Sequence, residues 1–551
     1  MKKIFVFAAA ALTLVSCLSE LDQIPLNDYD RTSEAAYKDA SAYIMGITYI
    51  NAYYNFVSQG DPGSSDLSFK DAGQSELLRQ WLNMNDLCTG SLDIGWGDSY
   101  ITSINEHTWS NAENTAITAV YTRALKGVAL VNEFLLQTED AKLEARGHMD
   151  HKAQIAQYRA EAKFHRAMFY YILLDEFGIP PFALEENIGG ELPVQKTRAN
   201  LAKWIEEELL ALVADGSAMP KKGEVQYPRP TQDACWALLA RLYLNYEVYS
   251  GTAKWTEAKA AAKKVIDNGY TLHPKYYELF LQDNGQTCAN DEFIFAIEYD
   301  RVYARSWGGT TTLSSGAFDD NMNAAVVSFL QGTAFPEYSL PYVSEEVWNG
   351  YHIDPSWVSA NLEITVDASN PLGLDPLKSD RRAMLYASNL TDEYKASTST
   401  AGWRNWKWAS ISSDGSMVQR SGASGEEGDT EDKDNPSWKF SSADFAIFRL
   451  PEMYYIYAEA DARLNGGTTS DADAIKWIGD LRERAGLSAP GASMTVEYIL
   501  KDKAAEYLWE GQRRQDEIRL GIFDDNHNKY VYPIPESDRS ANPNLKQNTG
   551  Y

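Results

Sequence analysis

The chain has 551 residues, 44% of them apolar, which is enough for a sizeable core and, by length alone, for more than one domain. Its formal charge is −28, deepened by two if Lys2 and Lys3 are cleaved away with an export signal. So acidic a surface disfavours nucleic acid and anionic membrane faces as partners and leaves neutral sugars open.

In chain order, Lys2 and Lys3 precede an apolar run from Ile4 to Val15, closed by Leu14-Val15-Ser16-Cys17. That is an export signal too short to span a bilayer, which takes about 20 apolar residues. A small residue directly before cysteine is the bacterial lipobox pattern. It predicts cleavage after residue 16 and acyl chains on Cys17, several of which anchor firmly where one does not. Residues 17–30 then read as a lipidated tether, and no later segment is apolar enough to cross a membrane. Cys88, Cys235 and Cys288 leave an odd count once Cys17 is set aside, so no disulfide framework follows. Cys235 falls in an apolar helical pattern as a core thiol.

Residues 51–110 are irregular and hold a suggestive run: Asp71, Arg79, Trp81, then Leu92-Asp93-Ile94-Gly95-Trp96-Gly97-Asp98-Ser99-Tyr100. Glycines on both sides of Trp96 leave its indole uncovered, which suits a stacking platform better than a core. Sugar recognition needs an aromatic face against ring C–H groups and planar hydrogen bonders for hydroxyls. Asp71, Arg79 and Asp98 fit the second need. Helices follow. Ile117, Tyr121, Ala124, Val128, Val131 and Leu135 recur at steps of three and four and share a face. Ile155 to Phe177 is a second helix, stopped by Gly178 and Pro180-Pro181. Asn200 caps a third to Val213, Thr231 begins one reaching Tyr249, and Trp255 to Asn268 closes at Gly269. Residues 270–440 lose this periodicity, and Ser421 to Asn435 is an acidic, Gly-rich loop. Helices at 444–465, 471–485 and 495–520 complete a mainly α chain with helical blocks over 111–269 and 444–520.

Catalytic patterns are missing: no G-x-S-x-G, no phosphate loop, no H-E-x-x-H. His148 and His151 lack a third ligand for zinc. Asp429, Glu431, Asp432 and Asp434 could gather structural calcium but lack the glycine of an EF-hand loop. Paired carboxylates for glycoside hydrolysis cannot be read from so acidic a chain, but the barrels and sandwiches that host such chemistry need strands not visible here.

The far end is the most specific part: Ala504-Ala505-Glu506-Tyr507-Leu508-Trp509-Glu510-Gly511-Gln512-Arg513-Arg514-Gln515-Asp516, then Tyr532-Pro533-Ile534-Pro535 and Asn542-Pro543-Asn544-Leu545-Lys546-Gln547-Asn548-Thr549-Gly550-Tyr551. With Phe448-Arg449-Leu450-Pro451-Glu452-Met453, Ala458-Glu459-Ala460 and Leu481-Arg482-Glu483-Arg484-Ala485-Gly486, it resembles the RagB/SusD family of outer-membrane nutrient-binding lipoproteins. The resemblance implies one domain over 31–551. It implies helix-turn-helix units like tetratricopeptide repeats, a ligand face built from 51–110 and 270–440, no enzymatic activity and no cofactor. It also implies a SusC-like TonB-dependent transporter as partner and oligo- or polysaccharide as ligand. Counting without gaps from Asn85-Asp86-Leu87, the sugar contacts of the starch-binding members fall on Asp71, Arg79 and Trp96. A following Asn falls on Ser99, a departure that puts identical specificity in doubt. Tyr303 and Trp307, before Gly308-Gly309, are the counterparts from the second region. An α-glucan such as starch is favoured, with a fructan as rival. A peptide-import lid and a surface glycoside hydrolase are the other classes open.

Overall fold

The structure is a computed structural model that describes residues 33–58, 63–67, 69, 72–110, 113–333, 343–344, 346–390, 401–415, 439–523 and 530–551. Cys17 with its tether, Asp71, and the stretch holding Asp429, Glu431, Asp432 and Asp434 lie outside the described residues. Among the described residues no helix is long and apolar enough to cross a membrane.

The first long helix, Thr115–Gln137, forms where the three-and-four spacing places it. Asn114 caps it by accepting from the N–H groups of Ala116 and Ile117, which satisfies two otherwise orphaned donors. Its six stripe residues from Ile117 to Leu135 are all buried, and each large apolar one adds about 1.5–3 kcal/mol. They pack on Lys152–Phe177, whose residues from Phe164 onward are buried without exception. Gly178 ends that helix at φ +68, where a side chain would be strained.

Packing then proceeds in chain order through Arg198–Leu212, Gln232–Leu244 and Trp255–Ile266. The next helix to join is distant in sequence: Leu450–Leu464 lies against Trp255–Ile266 and in turn carries Ala472–Arg484 and Val496–Glu506. The two helical blocks are therefore one stack, and residues 270–440 are an excursion from it. Phe293–Ile297 leaves the stack and Phe445–Arg449 returns, paired antiparallel with Phe293 opposite Arg449 and Ile297 opposite Phe445.

Local chemistry moves several expected boundaries. Thr197 rather than Asn200 caps Arg198–Leu212, accepting from the Asn200 N–H. The segment from Thr231 to Tyr249 breaks at Asn245 into Gln232–Leu244 and Tyr246–Ser250. Residues 445–449 are strand before the helix begins. The 495–520 segment is two helices, Val496–Glu506 and Arg513–Leu520, parted where Trp509 (φ +59) and Gly511 (φ +72) turn left-handed. The irregular regions also hold hidden helices: Leu77–Asp86 and Ser99–Asn105 in the first, Gly309–Gly316, Asp320–Thr333 and Pro355–Asn361 in the second. Leu77–Asp86 buries Arg79, Gln80, Asn83, Asn85 and Asp86 along with its apolar face, so its composition reads as surface.

Cys88, Cys235 and Cys288 are free, buried thiols. No group of three His, Cys, Asp or Glu among the described residues could hold a metal ion. His148 instead sets its Nδ1 2.9 Å from the Tyr43 hydroxyl.

The C-terminal blocks behind the family resemblance form a buried ion network. Arg449 reaches Glu292 (3.0 Å), Glu506 (2.5 Å) and Glu510 (2.8 Å), and all four are withdrawn from water. Glu506 also holds Arg484 at 2.8 Å, and Arg382 and Arg482 share Asp502 at 2.9 and 2.8 Å. Arg241 pairs with Glu452, Arg519 with Glu459, and Arg514 with Glu176. The network joins the helical stack to the start and end of the excursion.

Candidate functional site

A two-residue ladder brings the irregular regions together. Asp93–Ile94 pairs antiparallel with Tyr351–His352, and the Gly95 N–H prolongs it by donating to Gly350 O at 2.7 Å. Trp96, next along, is thereby laid against the 348–351 segment. Its indole N–H donates to Trp348 O at 3.0 Å, and its ring lies 5.3 Å from that of Tyr351. Gly350 makes the approach possible, since a Cβ there would fall 2.0 Å from Trp96 Cε2. The indole is half-buried, not uncovered as its flanking glycines suggested. Gly95 serves a different neighbour, because a Cβ there would fall 2.6 Å from His352 Nε2, whereas Gly97 faces open space.

Trp307 forms the opposite wall. Arg79 Nη1 donates to Trp307 O at 3.2 Å and Thr312 Oγ1 to the same carbonyl at 3.0 Å. The ring rests on buried Phe440, 4.5 Å between centroids, and lies 6.1 Å from Trp348. Trp348 is in turn 6.3 Å from Trp96. The three indoles follow one another around a cleft of about 750 Å³, also lined by Gln74, Arg79, Asp98 and Tyr100. Their N–H groups differ: Trp96 gives its own to Trp348 O and Trp348 its own to Glu346 (3.4 Å). That of Trp307 meets no acceptor among the described residues.

Arg79, Trp96, Asp98 and Trp307 therefore line one cleft. Arg79 does so differently, since it is 8% exposed and spends part of its fork on Trp307 O. Asp98 is exposed at the start of Ser99–Asn105 and leaves that helix uncapped by its side chain. Tyr303 stands 81% exposed on the Trp307 loop and is not among the residues lining the cleft; neither is Ser99. Trp81 is a core residue whose Nε1 donates to Glu176 at 2.9 Å. Sequence reasoning missed Trp348 and Gln74. Trp348 was findable, because Asn349-Gly350 behind it is a turn dipeptide, and Asn349 indeed has φ +50.

Such a site can bind a hydroxyl-rich ligand, with Asp98 as the one carboxylate among the described lining residues. A second cavity of about 450 Å³, walled by Phe329, Leu374, Met384, Leu385 and Trp406, is mostly apolar and suits a hydroxyl-rich ligand poorly.

A helical scaffold with a tryptophan-lined cleft on its loop excursion defines a ligand-binding protein. Two family models match it: one described as the SusD family over residues 267–528, the other as starch-binding and associating with the outer membrane over residues 71–244. The starch-binding protein SusD of Bacteroides thetaiotaomicron is 29% identical over 590 residues, spanning 99% of this chain and 98% of that one. Among solved structures, a SusD homologue from Bacteroides thetaiotaomicron has a TM-score of 0.65 at 16% identity, covering 95% of this chain and 99% of that one. Surface glycan-binding protein A from Bacteroides thetaiotaomicron, in complex with laminarihexaose, has a TM-score of 0.63 at 16% identity, covering 92% and 99%. Likeness at that identity is likeness of fold. Over residues 71–244 and 267–528 the chain is similar to the SusD/RagB family, whose members bind glycans and are not enzymes.

Proposed function

We propose that this chain is a cell-surface glycan-binding lipoprotein, anchored in the outer membrane through acylated Cys17. It captures oligo- or polysaccharide in the cleft and passes it to a SusC-like TonB-dependent transporter. The observation that carries the reading is the arc of Trp96, Trp348 and Trp307 around polar Gln74, Arg79, Asp98 and Tyr100. Aromatic faces take the C–H side of sugar rings, and the polar groups take hydroxyls. With each contact worth about a kcal/mol, binding falls roughly in the micromolar-to-millimolar range, which suits a ligand that must be released inward. An α-glucan such as starch is the favoured ligand and a fructan the rival. The starch-binding relative at 29% identity and the register of Asp71, Arg79 and Trp96 support the first.

The test is affinity electrophoresis through gels containing amylopectin, inulin or laminarin. Wild-type protein is retarded by one of them, and Trp96→Ala abolishes the retardation with far-UV circular dichroism unchanged. Retention by Trp96→Ala would put the site elsewhere. Failure of all three gels, with peptides co-purifying with a transporter complex, would favour a peptide-import lid.

A further inference from the structure

Glu76 lies behind the cleft and plays no part in lining it. It is the residue before helix Leu77–Asp86, its side chain is fully buried, and it caps the helix by accepting from the Arg79 N–H at 3.1 Å. Capping alone would need one oxygen. The other oxygen accepts from the Tyr299 hydroxyl at 2.8 Å and from Ser306 Oγ at 3.1 Å. Ser306 Oγ in turn accepts the Gly308 N–H at 3.0 Å. A carboxylate on the Arg79 helix thus holds both sides of Trp307, while Arg79 and Thr312 hold its carbonyl.

Packing shows how tight this junction is. A Cβ on Gly308 would fall 1.9 Å from Glu76 Oε2, and one on Gly309 would fall 1.8 Å from the Tyr299 hydroxyl. Gly309 has φ +42 as well. Gly308-Gly309 therefore exists to let the Trp307 loop descend onto the carboxylate.

We propose that Glu76 is the positioning residue of the cleft, a clamp that fixes the Trp307 wall relative to the Arg79–Trp96 wall. The inference deepens the glycan reading and depends on it only where affinity is measured. Burial pushes Glu76 up to about 7, against the pull of the Tyr299, Arg79 N–H and Ser306 hydrogen bonds and the Arg79 charge. The carboxylate form accepts from all three donors. Its other charged neighbours are Asp444, which accepts the Tyr299 N–H at 2.9 Å and is itself pushed up to about 7 by burial, and Arg123, which donates to Ser75 O at 2.7 Å.

The experiment incorporates 5-fluorotryptophan and assigns the Trp307 fluorine resonance by its loss in Trp307→Phe. In ligand-free protein, Glu76→Gln and the milder Ser306→Ala both move that resonance while that of core Trp509 stays. The wild-type resonance titrates with a midpoint near 7, and the titration is lost in Glu76→Gln. An unmoved Trp307 resonance in both variants, or a titration that persists in Glu76→Gln and so belongs to Asp444, overturns the clamp. In a calorimetric arm, Glu76→Gln weakens binding of maltoheptaose or laminarihexaose by about fivefold or more. Unchanged affinity beside a moved resonance overturns the claim that the clamp serves binding. Failure of wild type to bind either sugar sinks the glycan reading, and the resonance still decides the clamp.

Discussion

Arg449 and Arg79 are both arginines almost wholly withdrawn from water, in regions built on different logic. Arg449 meets Glu292, Glu506 and Glu510 in a closed set of opposite charges. Arg79 meets the backbone carbonyl of Trp307 and borders an open cleft. In the first region charge is spent on holding the chain together, and in the second it shapes a space for something else. The segments by which the chain is recognised, 448–453, 481–486 and 504–516, belong to the first. Recognition of the family therefore says that the scaffold will form and says little about what the cleft holds.

The strongest way to test that division is to damage the network. Arg449→Met leaves three buried carboxylates without their shared partner, and loss of one partner from a buried set costs about 3–5 kcal/mol. Urea unfolding should show that loss with the slope retained, and a stability unchanged within error would contradict the network's role. Trp348→Ala should do the reverse. It leaves the unfolding midpoint close to wild type and lowers glycan affinity about tenfold, the scale of ~1.4 kcal/mol, by calorimetry. Gly350→Ala removes nothing from the ligand's reach and still weakens binding several-fold, because its Cβ displaces the Trp96 ring. Normal affinity there would mean that the half-buried pose of Trp96 is not the one used.

The smallest effect distinguishes the regions by the sign of their pH response. Burial would raise Glu506, but Arg484, Arg449 and Arg382 override it and hold it at about 2. A depressed carboxyl contributes stability above its unfolded value near 4.5, and the contribution is lost as pH falls through 2. Glu76 is raised to about 7, so its contribution is complete below 4.5 and is lost as pH climbs through 7. The urea midpoint should therefore fall between pH 5.5 and 8 in wild type and fall less in Glu76→Gln, while the ionised Glu76 still accepts its three hydrogen bonds. An equal fall in both proteins would remove the contrast.

Much of the scaffold was legible because its helices obey simple rules: the 117–135 stripe, the stop at Gly178, the closure at Gly269. What escaped did so for physical reasons. Leu77–Asp86 buries polar residues that normally mark a surface, and Trp509 breaks the 495–520 helix from within a segment of good helix formers. In the cleft, Arg79, Trp96, Asp98 and Trp307 were placed by their neighbours in sequence and by family register. Trp348 was not, because its partner lies 252 residues away and is brought to it by the Asp93–Ile94 ladder and the Gly95–Gly350 bond. Glu76 was invisible for the same reason, its hydroxyl partners lying 223 and 230 residues off.

The hydrogen bond from the Trp96 indole to Trp348 O has a mechanical consequence. With its one donor consumed, the platform presents only a face, and a face cannot tell one hydroxyl orientation from another. A polymer displaced along the arc by one repeat unit meets the same indoles in the same way. For the polymer ligand proposed above, the indole faces would then favour no single register, and this part of the cleft would serve as a bearing rather than as a latch.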